Sequence, residues 1–437
     1  MELAIGCVGK PSAGKSTFFN AVTDGKAKVG NFPFTTIEPN EGITYYMTDC
    51  PCKSRGKSDV CKPRYGQCAN GTRHIPVKLL DVAGLIPGAS EGAGLGNKFL
   101  DDLRHAHVLM HIIDVSGTTN EKGEATVGYN PLNDADWLTM EIHNWVYNNL
   151  WRRWGSIARR HTATQSSLRA TFQAQLSGYG ATSSTILAML NGMGEQAKEP
   201  CVLSSWGEPE VHCLVDAFLA HRFPTILVLN KADIGADTDK NIEQVVDKYG
   251  SDRCFVASAA SEVFLRNMHS KGHIIYEPGD MVYTTHEDDA SLKPLLPKMS
   301  ARLDQVSDMV LFRYGSTGVR AAINAAVELA NMVVVYPVKS LKNFTTVEGD
   351  VFGHAILVRQ GTTVREVAYV LSPVVGANYL YAEGEDGRRL SEEEPATNNL
   401  IVKFTTVVSK EAAAAAPPPP TEEKKPKKEK KADAPTL

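Results

Sequence analysis

The stretch that constrains this chain most is its opening, "AIGCVGKPSAGKSTFFNAV". Leu3–Val8 is apolar and β-prone, and Phe18–Val22 reads as a helix turning an apolar side inward. Between them stand Gly9, Gly14, Lys15 and Ser16 in the spacing G-x-x-x-x-G-K-S. A strand, a glycine loop and a helix in that order form a phosphate cradle, because loop N–H groups and the positive end of the helix dipole meet the same anion. Gly9, Ser12, Ala13, Gly14, Lys15, Ser16 and Thr17 are therefore the expected nucleotide contacts. Lys15 would reach the β- and γ-phosphates, and Ser16 would ligate magnesium. The plain alternative is a glycine-rich surface turn, which the flanking strand and helix disfavour.

Three later motifs choose the nucleotide. After the strand Val77–Leu80 stands "DVAG", where Asp81 can hold magnesium through water and the Gly84 N–H can sense a γ-phosphate. After Thr225–Leu229 stands "NKAD". The Asp233 carboxylate can accept hydrogen bonds from guanine N1–H and the exocyclic amine, which adenine does not offer; Asn230 supports the loop, and the stem of Lys231 can cover the ring. After Cys254–Ala257 comes "SAA", with Ser258 beside Ala259, whose N–H can meet guanine O6. Each motif alone is as readily a surface turn. Four in this order, each at a strand end, describe a GTPase domain.

The 437 residues allow two to four domains, and 43% apolar with 22% charged residues is ordinary for a soluble protein. No apolar run approaches the length of a membrane span, so no membrane association is expected, and with no export signal the cytoplasm is the expected compartment. A formal net charge of −4 excludes a globally basic nucleic-acid binder but not local basic patches. Of eight cysteines, Cys7, Cys201, Cys213 and Cys254 are scattered and read as buried small apolar residues.

The sequence pattern predicts an α/β fold: a doubly wound P-loop GTPase domain over residues 1–120 and 223–262, with a cysteine-containing insertion at about 48–74. Residues 121–222 read as a helical insertion and 263–332 as a mostly helical extension, with Ser316 or Thr317 capping its last helix. Residues 333–408 form a separate β-rich unit, and 409–437 an Ala/Pro/Lys-rich tail with too little apolar content to fold.

The phosphate loop, "NFPFTTIEPN", "DVAGLIPGASEGAGLGNKFLDDLRHA", "NKAD" and the final β-rich unit together resemble the Obg-related translation-factor GTPases, in the YchF-like branch with a C-terminal TGS domain. The resemblance runs from residue 1 to about 408. It implies that Thr36 closes on magnesium, with Thr35 as the substitute, and that residues 333–408 are a β-grasp domain of the TGS type that touches RNA. Lys15, Thr36 and Gly84 would then be the catalytic set. Relatives with an altered base motif prefer ATP, but "NKAD" is complete here, so GTP is expected and ATP is the alternative. Where Ras-like GTPases carry a glutamine that orients water, this chain has Leu85, which neither donates nor accepts a hydrogen bond. Slow intrinsic hydrolysis stimulated by a partner is the expectation, inactivity the alternative. Ser12 stands where some relatives recruit potassium through asparagine, so no potassium requirement is expected.

"DCPCKSRGKSDVCKPRYGQC" gathers Cys50, Cys52, Cys61 and Cys68. The C-x-C-x8-C-x6-C spacing lacks paired C-x2-C knuckles. Free thiols on an irregular loop are therefore the expectation, and a tetrahedral zinc site is the alternative. The same loop is basic, with Lys53, Arg55, Lys57, Lys62 and Arg64. In "NNLWRRWGSIARRH", Arg152, Arg153, Arg159 and Arg160 stand beside Trp151 and Trp154, either as an RNA-binding surface or as a solvated face over a tryptophan core. With the β-rich unit these make three candidate surfaces for a ribosome, through rRNA or tRNA, for a monomer cycling between GTP and GDP. The rival reading is an RNA-binding adaptor with GTP or ATP as a passive ligand.

Overall fold

The computed structural model describes residues 3–23, 40–82, 102–197, 203–235 and 237–407. Thr35, Thr36, Gly84, Leu85, Cys201, most of the expected helix around residues 97–104 and the Ala/Pro/Lys-rich tail lie outside these.

A run of apolar residues with no alternation implies a strand covered on both faces, and β1 (Ala4–Val8) and β5 (Val108–Asp114) are buried at every position. They lie at the centre of a seven-stranded sheet in the order β2-β4-β1-β5-β6-β7, with β3 pairing β4 off that path. The other strands are β2 (Glu41–Asp49), β3 (Gln67–Ala69), β4 (Thr72–Asp81), β6 (Thr225–Asn230) and β7 (Cys254–Val256). From β4 to β7 every pairing is parallel, whereas β2 and β3 run antiparallel to β4. The ends of β4, β1, β5, β6 and β7 therefore open on one rim, where ligands of such sheets bind.

Helix α1 (Lys15–Val22) follows β1 directly. Between β5 and β6 lie four longer helices, α2 (Leu132–Trp151), α3 (Trp154–Thr164), α4 (Leu168–Leu176) and α5 (Ser183–Met193), then α6 (Glu208–Arg222). Their shared core includes Leu150, Trp154, Phe172, Ile186 and Phe218. Trp154 stacks on Trp206 at 5.9 Å and Trp151 on Tyr147 at 5.9 Å. The tryptophans are thus spent on packing, while Arg152, Arg153, Arg159 and Arg160 form an exposed face. Buried Arg222 pins the insertion to the sheet by donating to the carbonyls of Tyr179 and Ala106 at 2.8 and 2.7 Å, and to that of Arg104.

Helices α7 (Thr238–Tyr249) and α8 (Ala259–Ser270) flank β7. Beyond Ser270 the chain runs through turns with a single bridge, Ile275 to Thr284, before α9 (Pro297–Val306) and α10 (Val319–Leu329). The expected cap of α10 is corrected: Gly318, in the left-handed region, occupies the N-cap, and the Ser316 hydroxyl accepts from its N–H at 3.2 Å. Only glycine fits there, since a Cβ would sit 1.8 Å from the Val256 carbonyl oxygen.

The last unit is a five-stranded sheet, β9-β8-β12-β10-β11, made of β8 (Met332–Pro337), β9 (Ile356–Arg359), β10 (Tyr379–Gly384), β11 (Arg389–Leu390) and β12 (Leu400–Thr406). Its central pair, β8 and β12, is parallel and the rest antiparallel. Helix α11 (Val364–Leu371) opens with a capping box, the Thr363 hydroxyl accepting from Glu366 N–H while the Glu366 carboxylate accepts from Thr363 N–H. Along β8 the side chains alternate between two cores. Val333 and Val335 pack with α11, while Val334 and Tyr336 join the core shared with the first sheet.

Candidate functional site

The phosphate loop turns at the end of β1, with Ser12 and Gly14 both in the left-handed region. A Cβ at Gly14 would lie 2.4 Å from the Asn230 side-chain nitrogen, so this glycine lets the loop and the "NKAD" turn touch. Asn230 closes the contact from both ends: its amide donates to the Ala13 carbonyl at 3.0 Å, and its oxygen accepts the Ala259 N–H at 3.1 Å. Three segments distant in sequence are thereby held as one rim.

Lys15 Nζ is buried and donates to the carbonyls of Gly9 and Lys10 at 3.1 and 2.8 Å. Burial, the larger influence, lowers its pKa, and the Asp81 charge works against that. Ser16 and Thr17 are exposed at the mouth of the loop, and the Ser16 hydroxyl donates to Asp81 at 3.0 Å. At the other end of the rim the Ser258 hydroxyl donates to Asp233 at 2.7 Å, leaving the second carboxylate oxygen for a ligand. Gly9, Ser12, Ala13, Gly14, Lys15, Ser16, Thr17, Asp81, Asn230, Lys231, Asp233, Ser258 and Ala259 all stand on this rim; Thr36 and Gly84 lie outside the described residues.

Two groups on the rim were not singled out in the sequence. Asp114, ending β5, is fully buried and receives Lys231 Nζ at 2.7 Å and the Thr119 hydroxyl at 2.7 Å, together with Ser116. Burial alone would raise its pKa; these donors bring it below the ordinary value. Lys231 is thus tied by its ammonium, which leaves its stem as the part free to lie along a base. Lys10, inside the phosphate loop, is 1% exposed and pairs with Asp134 of α2 at 2.8 Å while donating to Thr119 O at 2.7 Å. The strand-terminal Asp of "HIID" was the available signal for the first. A lysine at a variable loop position carries none for the second.

The cysteine loop is not irregular. A helical turn at Pro51–Ser54, a 3-10 turn at Ser58–Val60 and β3 bring Cys50, Cys52, Cys61 and Cys68 together, which corrects the expectation of an irregular loop. All four sulfurs lie within 4.8 Å of one another, with Cys50–Cys61 at 3.9 Å and Cys52–Cys68 at 3.6 Å. The Cys50 thiol is drawn down to about 5, chiefly by its hydrogen bond with Cys61, while burial pushes Cys52 and Cys68 up. Such a cluster can coordinate a metal ion, which would draw off the remaining protons. Of the scattered cysteines, Cys7 and Cys254 are buried and Cys213 half-buried.

The expected basic surface of this loop is largely paired. Arg55 meets Glu385 at 2.5 Å, Lys62 meets Asp350 at 2.8 Å and Arg64 meets Glu348 at 2.9 Å, all across to the C-terminal unit.

Among the described residues no helix is long and apolar enough to cross a membrane. Residues 228–340 match the family model "Obg-like GTPase YGR210-like, G4 motif-containing domain", and residues 4–138 match "50S ribosome-binding GTPase". A GTP-binding protein of Schizosaccharomyces pombe is 46% identical over 389 residues, covering 88% of this chain and 93% of that protein. One from Methanocaldococcus jannaschii is 38% identical, covering 86% and 92%. The ribosome-binding ATPase YchF of Bacillus subtilis is 33% identical over 147 residues, covering 32% and 36%. The crystal structure of a GTP-binding protein from Pyrococcus horikoshii OT3 superposes with a TM-score of 0.71 at 31% identity, covering 93% of this chain and all of that one.

Proposed function

Because the chain belongs to the YchF/Obg-like family of P-loop GTPases, we propose that it binds and hydrolyses GTP and uses that cycle to regulate its association with ribosomes, in translation or ribosome maturation. The observation that carries the choice of base is the Asp233 carboxylate. It is held by Ser258 at 2.7 Å on a rim that Asn230 locks to the phosphate loop, and its two oxygens, each with a lone pair to spare, suit the paired donors of guanine. An adenine would meet that carboxylate with an acceptor at N1.

Magnesium fits the residues present, since the Ser16 hydroxyl and the Asp81 carboxylate are hard oxygen donors facing each other at the mouth of the loop. When bound, it offsets charge on the phosphates. Lys15 would orient the β- and γ-phosphates, Gly84 would offer its N–H to the γ-phosphate, and Thr36 would join Ser16 and Asp81 in holding the magnesium. Leu85 keeps bulk water out, and the attacking water is oriented by a group from the partner. The four-cysteine cluster holds zinc.

The ribosome is supported by the name of the model matched over residues 4–138 and by the bacterial relative, whose own name is ribosome-binding. We read the C-terminal sheet as a β-grasp domain of the TGS type. Its order, second-first-fifth-third-fourth with the first and last strands parallel and a helix over one face, supports that reading. With the tryptophans packed and the cysteine loop's charges paired, contact with rRNA or tRNA falls to this domain and to the exposed arginines of α3. The protein works as a cytoplasmic monomer. Co-sedimentation with ribosomes in GDP, GTP and a non-hydrolysable analogue tests the reading: pelleting that depends on the nucleotide supports it, and no pelleting with any of the three refutes it.

A further inference from the structure

We propose that the four-cysteine cluster is a zinc-dependent latch that holds the C-terminal sheet domain against the edge of the nucleotide-binding sheet; this rests on the zinc reading above. Four thiolates around zinc at about 2.3 Å make a tetrahedron with edges of about 3.8 Å. The pairs at 3.9 and 3.6 Å stand at that spacing.

The cluster lies at the seam between the two domains. On its outer side the Lys62 N–H donates to Val351 O at 3.0 Å and the Arg64 N–H donates to Gly353 O at 2.8 Å, and Cys61 bridges to Val351 as a short parallel pair. Beneath it stands Arg73 of β4, 1% exposed. Its guanidinium donates to the carbonyls of Phe352 and Gly353 at 2.8 and 3.1 Å and lies 3.9 Å from the Cys61 sulfur.

Among the described residues no carboxylate lies within ion-pair distance of Arg73. Taking a guanidinium out of water is costly, and a nearby anion offsets part of that cost. A zinc ion bound by four thiolates is a net dianion, and it adds to the negative charge of the Cys50 thiolate at the place where Arg73 grips the other domain. The ion thus does more than fold a loop: it stabilises the cation whose N–H groups hold residues 352–353. The ion pairs of Arg55, Lys62 and Arg64 with Glu385, Asp350 and Glu348 close the rim around it. These pairs account for Arg55, Lys62 and Arg64 without an RNA ligand. The β2–β4 hairpin carries Asp81 at one end and Arg73 and Cys50 at the other, so the latch fixes the C-terminal domain to the element that reaches the nucleotide.

The test uses the full chain, with zinc counted per molecule before and after a zinc-selective chelator, and two variants, Cys61→Ser and the charge reversal Lys62→Glu with Arg64→Glu. Hydrogen exchange over residues 344–353 and the radius of gyration from small-angle scattering report docking, and GDP affinity reports an intact nucleotide domain. The latch predicts about one zinc per chain. It also predicts roughly tenfold faster exchange over 344–353 and a larger radius after zinc removal or in Cys61→Ser, with GDP affinity unchanged within about twofold. The charge-reversal variant should keep its zinc and still exchange faster; it carries the test if Cys61→Ser does not fold. Zinc that binds but can be stripped with exchange and radius unchanged overturns the latch and leaves the zinc reading standing. A chain that neither retains nor takes up zinc overturns both.

Discussion

Replacing Asp233 with asparagine removes one charge and leaves the shape. In the native rim one carboxylate oxygen accepts the Ser258 hydroxyl at 2.7 Å, and asparagine can keep that bond through its own carbonyl. The fold is therefore preserved, and the loss falls on the ligand. Toward guanine the carboxylate accepts from both N1–H and the exocyclic amine. The amide can accept one of these and turns an N–H at the other. One charge-assisted hydrogen bond is lost, worth about 1.5–3 kcal/mol, and a donor faces a donor in its place. The sum is about 2–4 kcal/mol, which is roughly 30- to 700-fold in GDP affinity. Xanthine carries a carbonyl where guanine has its amine, so the same variant should bind xanthosine diphosphate more tightly than GDP. Competition against a fluorescent guanine nucleotide, read for GDP, ADP and xanthosine diphosphate on both proteins, measures all of this. GDP affinity unchanged in the variant, or a wild type that prefers ADP, would refute the assignment of "NKAD" as the base site.

Three further outcomes are expected. Lys15→Ala or Ser16→Ala should abolish magnesium-dependent triphosphate binding while leaving the unfolding midpoint within a few degrees, as titration calorimetry and thermal melts will show; both side chains act at the rim rather than in the core. Leu85→Ala should leave ribosome-stimulated turnover within roughly tenfold, since no hydrogen bond to water is lost, whereas faster hydrolysis without ribosomes would identify Leu85 as a plug over the γ-phosphate. Gly318→Ala places a Cβ 1.8 Å from the Val256 carbonyl and should destabilise by about 2 kcal/mol or more, read from urea midpoints.

What the sequence disclosed and what it hid have separate physical causes. The strand ends of the rim were legible because phosphate and base recognition demand particular residues immediately after buried apolar strands. Gly9 to Thr17, Asp81, Asn230 to Asp233 and Ser258 converge on one rim accordingly. The central strands were legible for a related reason: a run such as "VLMHIID" has no polar face to show, and β5 is buried throughout. The gathering of the four cysteines was hidden because spacing along the chain says little when a helical turn, a 3-10 turn and a strand fold between them. The basic residues of that loop looked free because their partners, Asp350, Glu348 and Glu385, lie nearly three hundred residues or more away. Trp151 and Trp154 had two readings at helical spacing, and only the packing of Tyr147 and Trp206 against them decides for the core. Lys10 was invisible for the opposite reason, as its partner Asp134 belongs to a helix whose docking no local pattern reveals.

On the proposed function this chain turns over GTP and ribosomes accelerate it. Single-turnover hydrolysis of GTP by the full chain, with and without purified ribosomes and against Lys15→Ala as the background, tests it most directly. The chain alone should release phosphate slowly, ribosomes should accelerate it clearly, and little should be released from ATP at the same concentration. Phosphate release no faster than the Lys15→Ala background in both conditions, or a rate that ribosomes do not change, would contradict it.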